Sequence, residues 1–109
     1  MIVKKFDIIL VDFPFSDLTK IKKRPALVIN SLEGENAILC QITTKRRNIQ
    51  KYEISLFKEA CTGDIRFNSF IYIDMIFTLH KSLIYKKIGE ISNSKIKKII
   101  NNKIKLLLE

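Results

Sequence analysis

Apolar residues along the chain recur mostly with the two-residue period of strands, and only its end changes rhythm. Ile8 to Val11 is a short β-rich run, closed by the turn-forming "DFPFSD". The segment from Asp17 to Lys23 is polar and charged and reads as an exposed loop. "RPALVIN" predicts a second strand, "SLEGEN" a turn, and "AILCQIT" a third strand apolar enough to be buried on both faces. "TKRRNIQ" is a basic loop and "YEISLF" a short fourth strand. "SFIYIDMIFTL" gives one or two more, with Asp74 marking a break, and "KKIGEIS" a last one. In "NSKIKKIINNKIKLLLE" the period lengthens: Ile96, Ile99, Ile100, Ile104 and Leu107 follow helical spacing, with Ser92 or Ser94 as the N-cap. Lys95, Lys97 and Lys98 in its first turns oppose the helix dipole, so this helix depends on docking. The elements make a mainly β protein: a small, partly open antiparallel barrel closed by a C-terminal amphipathic helix.

At 109 residues the chain is expected to be a single domain, residues 1–109, with one hydrophobic core. No apolar run approaches the roughly 18 residues of a membrane span. The N-terminal apolar segment is too short for a signal peptide, so a cytoplasmic location is expected. Cys40 and Cys61 lack zinc spacing and read as reduced, small hydrophobes.

The net charge of +9 points to a polyanionic partner. Isoleucine, lysine and asparagine are abundant and have AT-rich codons, so codon bias alone can enrich lysine, and clustering is the better test. Lys20, Lys22, Lys23 and Arg24 form one basic cluster, and Lys45, Arg46 and Arg47 another; they flank two predicted strands. Proline restrains the residue before it to extended geometry, which makes Arg24 the first residue of fixed backbone after a loop. A planar, permanently charged fork can then be aimed while the lysines supply a diffuse field. If the second and third strands pair as an antiparallel hairpin, Arg24 comes close to Thr43 or Thr44, a plausible phosphodiester site. Lys20, Lys22, Lys23, Thr44, Lys45, Arg46 and Arg47 are the candidate RNA contacts, and Phe13, Phe15 and Tyr52 candidate stacking partners for bases.

Other chemistries fit less well. A lone histidine, His80, excludes a two-histidine ribonuclease and is better suited to closing a turn. Asp7, Asp12 and Asp17 do not converge by strand periodicity, and the three glycines make no phosphate loop, so neither metal nor cofactor is called for.

The stretches "DIILVDFPFSDL", "KKRPALVIN", "AILCQITTK", "SFIYIDMIFTL" and "KKIGEIS", in this order and followed by the helical tail, resemble the MazF/PemK family of toxin–antitoxin ribonucleases. The Arg-Pro opening one strand and the Ile-Thr ending the next fall on the family's catalytic positions, here Arg24 and Thr43. The resemblance implies an SH3-like barrel, a homodimer, and a cognate antitoxin whose acidic tail crosses the RNA groove. It also implies metal-independent cleavage of single-stranded RNA at short sequences. Two departures stand out. Phe6 occupies the position of a usual glycine, and Tyr72 stands where some members carry an arginine two residues before an aspartate, here Asp74. Asp74, or an acid near Asp17, is the candidate general base. A gyrase-poisoning toxin of the CcdB type, or an RNA-binding barrel without catalysis, are the alternative functions; the Arg-Pro and Ile-Thr pair argues against the former.

Overall fold

The computed structural model describes residues 2–13 and 22–109, apart from the side chains of Phe13 and Lys22. Phe15, Asp17 and Lys20, all named as candidates above, lie outside the described residues. Seven strands form one antiparallel sheet: β1 (Asp7–Phe13), β2 (Lys22–Asn30), β3 (Asn36–Thr43), β4 (Glu53–Leu56), β5 (Cys61–Gly63), β6 (Ser69–His80) and β7 (Ile84–Ile91). Their spatial order is β4-β6-β3-β2-β1-β7-β5, a half-barrel, and helix α1 (Ser94–Leu107) follows.

Alternation along each strand builds two cores, one on each face of the sheet. Leu27, Cys40, Ile42 and Ile71 pack on one face with Ile100 of α1, while Ile9, Val11, Ala26, Val28 and Leu39 pack on the other. The central strands are therefore apolar on both sides, as "AILCQIT" foretold. Along α1, Ile96, Ile100, Ile104 and Leu107 contribute to the helix-side core. Ile99, counted above on the apolar face, is instead 41% exposed, because it lies beside the stripe set by those four. The cap is also corrected. Asn93 accepts from the Ile96 N–H at 3.1 Å, whereas the Ser92 hydroxyl donates to the Ala60 carbonyl at 3.2 Å. Lys103 Nζ ties α1 to the Gln50 and Lys51 carbonyls, both at 3.1 Å.

Other boundaries move because partner strands decide them. β1 runs on through Asp12 and Phe13, and pairing of Asp12 with Lys23 and Phe13 with Lys22 draws those lysines into β2. Arg24 is thus the third residue of a strand and not the first after a loop, and Pro25 sits inside β2. The pairing of β2 with β1 passes through Pro25, but that with β3 stops one residue away, at Ala26↔Gln41; proline has no N–H to give a ladder. Asp74 marks no break: β6 is one strand, with Ile73, Asp74 and Met75 bulged between Tyr72↔Gln41 and Ile76↔Cys40. Both cysteines are free thiols, and burial pushes the Cys40 thiol up to about 12. His80 closes a turn by accepting from the Ser82 N–H at 3.1 Å.

Strands β5 and β7 cross unusually closely. A Cβ on Gly89 would lie 2.4 Å from the Thr62 carbonyl oxygen, and one on Gly63 2.5 Å from the Gly89 Cα. Gly34, by contrast, has φ +93° but open space around its Cα. Gly34→Ala should cost about 1–2 kcal/mol, the strain of a left-handed residue. Gly89→Ala should cost more, since backbone must separate from backbone. Urea unfolding of both variants checks this; an equal or smaller loss at Gly89 would contradict the close approach.

Candidate active site

Arg24 lies opposite Val11 in the β1–β2 ladder, and Thr43 opposite Phe70 in the β3–β6 ladder. The β2–β3 pairing ends at Ala26↔Gln41; two residues further in the same register, Arg24 comes level with Thr43. Both belong to the face of Ala26, Val28 and Leu39, because side chains two apart along a strand share a side. Arg24 is exposed and Thr43 half-buried.

Among the described residues the basic clusters do not form one continuous field. Lys23 alternates to the other face, where its Nζ lies 3.8 Å from Asp12 Oδ1 and 4.4 Å from the centre of the Tyr85 ring. Thr44 lines an open apolar cleft of about 210 Å³, together with Pro25, Ile42, Ile65 and Phe67. The loop after β3 is held down by its own backbone and by two carboxylates. Thr43 Oγ1 accepts from the Lys45 N–H at 3.2 Å, and the Tyr72 hydroxyl donates to the Lys45 carbonyl. Glu53, whose side chain is 4% exposed, accepts from Arg46 Nε at 3.2 Å and from the Arg47 N–H at 3.0 Å. Arg47 then lays its guanidinium 3.8 Å from the centre of the Tyr72 ring and makes a two-pronged ion pair with Asp74, Nη1 to Oδ2 at 2.9 Å and Nη2 to Oδ1.

Two of these participants were not singled out as site residues from the sequence. Glu53 follows the K-R-R run as an acid opening a strand, and that opposite charge was the available signal. Tyr72 was noted only as a departure, yet it is the platform beneath Arg47. Asp74 shares a face with Tyr72, as residues two apart along a strand do, and both meet Arg47. The Asp74 carboxyl is held below the ordinary carboxylate range, chiefly by the hydrogen bond from Arg47, which outweighs the rise from burial, with that cation's charge lowering it further. A carboxylate so held is a poor proton acceptor near neutral pH. Among the described residues no group of three His, Cys, Asp or Glu side chains is placed to hold a metal ion.

The model of the PemK-like, MazF-like toxins of type II toxin–antitoxin systems matches residues 4–108. The chain belongs to that family. Among solved structures it is similar to an endoribonuclease from a mycobacterial species in complex with its cognate antitoxin (16% identity, TM-score 0.75, 98% of this chain and 95% of that one). It is also similar to MazF in the MazE–MazF complex of Deinococcus radiodurans (16%, 0.76, 99% and 97%) and to the Mycobacterium tuberculosis toxin MazF-mt6 (17%, 0.69, 90% and 91%). At such identities the likeness establishes a shared fold. No curated protein matches the chain.

A depressed Asp74 pKa has a defined sign. The Arg47 pair contributes stability that is present above the ordinary carboxylate value of 3.8 and lost as pH falls through the lower folded-state value. The urea midpoint of the wild type should therefore drop, as pH falls below about 4, more than that of Asp74→Asn. Parallel pH profiles for the two proteins would mean that the pair is absent in solution.

Proposed function

We propose that this toxin is an endoribonuclease that cleaves single-stranded RNA at short sequences without a metal ion. The observation that carries the reading is the strand register that brings Arg24 level with Thr43 on one face, in a chain of this family. The RNA's own 2′-hydroxyl attacks the adjacent phosphorus. The new P–O2′ bond forms as the P–O5′ bond breaks; the 2′-hydroxyl gives up its proton and the departing 5′-oxygen takes one up, with no net change in protons, leaving a 2′,3′-cyclic phosphate and a 5′-hydroxyl. Arg24 donates to the phosphoryl oxygens as negative charge builds on them, and Thr43 hydrogen-bonds one of those oxygens. The net charge of +9 supports a polyanionic substrate.

The toxin acts in the cytoplasm as a homodimer whose groove takes the RNA. A cognate antitoxin with an acidic tail competes for that groove, a reading supported by the antitoxin complexes among the similar structures. Gyrase poisoning gains nothing from an arginine and a threonine brought level at strand ends, and simple RNA binding has no need of that alignment.

Incubating the purified protein with a long RNA in EDTA, followed by mapping of the fragment ends, tests the activity. Cyclic phosphate ends should appear, and activity that requires added Mg²⁺ would exclude the mechanism. Arg24→Ala should slow cleavage about 10²–10³-fold. Arg24→Lys should rescue poorly because it lacks the planar fork. Thr43→Ser should retain partial activity and Thr43→Val very little. RNA affinity should fall steeply with salt, and a salt-independent affinity would remove the phosphate contacts from the account.

A further inference from the structure

Arg47 is held more firmly than a solvated loop cation needs. Asp74 grips it through both terminal nitrogens, Tyr72 lies flat beneath it, and Glu53 fixes its backbone N–H. Its side chain nonetheless remains 24% exposed. A guanidinium carries five N–H donors, and the Asp74 pair uses two. Each terminal nitrogen keeps a second N–H. The Nε atom is buried and has no acceptor among the described residues, a cost that a pair serving stability alone gives no reason to retain.

The clamp is joined to Thr43 through one residue. Lys45 gives its N–H to the Thr43 hydroxyl and receives the Tyr72 hydroxyl on its carbonyl, and the ring of that tyrosine carries Arg47. A shift of the tyrosine would therefore disturb both the threonine and the arginine.

We propose that Arg47 is a second phosphate-contacting guanidinium of the RNA site, and that Asp74 is its positioning residue and not the general base. The proposal rests on the ribonuclease reading above. Because Asp74 neutralises Arg47 at a distance, Arg47 adds little to the long-range attraction of RNA. It contributes a fixed hydrogen-bond donor where charge develops on the phosphoryl group, so its loss falls on kcat and not on KM. The depressed carboxyl of Asp74 agrees with this, since it takes up no proton near neutrality. The groups that surround the pair are Tyr72 on the same strand, Glu53 on β4 and the Cys40 thiol on β3.

Steady-state cleavage of a single-stranded RNA by the wild type, Arg47→Ala, Arg47→Lys, Asp74→Asn and the Arg47→Ala/Asp74→Asn double variant tests this, with a thermal melt of each. Arg47→Ala should lower kcat about 10²-fold with KM nearly unchanged. Arg47→Lys, which keeps charge and bulk, should recover little of it. Asp74→Asn should lose less, leave the acidic limb of the kcat/KM profile in place, and add nothing to Arg47→Ala in the double variant. Wild-type kcat in a folded Arg47→Ala or Arg47→Lys overturns the role of Arg47. An acidic limb that disappears in Asp74→Asn makes Asp74 the base and overturns the other half. RNA left intact by the wild type itself brings down the ribonuclease reading and this inference with it, an outcome distinct from cleavage that ignores Arg47.

Discussion

The pairing of β2 with β3 decides which side chains can meet at the strand ends. With Ala26 opposite Gln41, the positions of Arg24 and Thr43 face the same way, and the apolar residues behind them fill two separate cores. A slip of one residue would turn one strand over and send Leu27 or Val28 to the wrong core. The register is therefore fixed by burial on both faces, well away from the site. Chemistry at the strand ends inherits its geometry from apolar packing, and Pro25 limits how far the β3 ladder extends toward it.

Around this frame, local charges are mostly spent in pairs. Lys23 turns to Asp12 and Tyr85, Arg46 to Glu53, and Arg47 to Asp74. Asp7, almost wholly buried, is neutralised by Lys87 Nζ at 3.0 Å and accepts from the Lys4 N–H at 2.8 Å. Arg24 stands apart, exposed and without an ion-pair partner among the described residues. The net positive charge thus conceals a division between cations held in place by a carboxylate and cations, such as Arg24, that stand free of one among the described residues. Phe6 illustrates a similar compromise in the backbone. At φ +75° it adopts a conformation that suits glycine, yet its N–H reaches the Val28 carbonyl and its carbonyl receives the Ile91 N–H, stitching β2 to β7.

Period and composition were sufficient to read the central hairpin and the helix, because their apolar spacing follows from burial alone. That Arg24 and Thr43 fall level on one face was legible for the same reason: each lies near the end of a strongly patterned strand. The elements that escaped depend on partners. β5, the three residues Cys61–Gly63, has no apolar run and exists through its pairing with β7. Lys22 and Lys23 look like loop and are strand because β1 extends to meet them. The clamp of Arg47 joins residues 27 positions apart in sequence, and no local pattern announces a contact of that separation.

The sheet ends in its two shortest strands, β4 with four residues and β5 with three. Each therefore leaves only a few main-chain groups free along its outer side. Open edges invite further strands to add on, and long flat ones seed aggregates. Here the long strands β2, β3 and β6 are all interior, and mutual repulsion between positively charged copies opposes non-specific clumping. A sheet arranged in this way offers little main-chain edge to a second copy, so growth by strand addition is disfavoured.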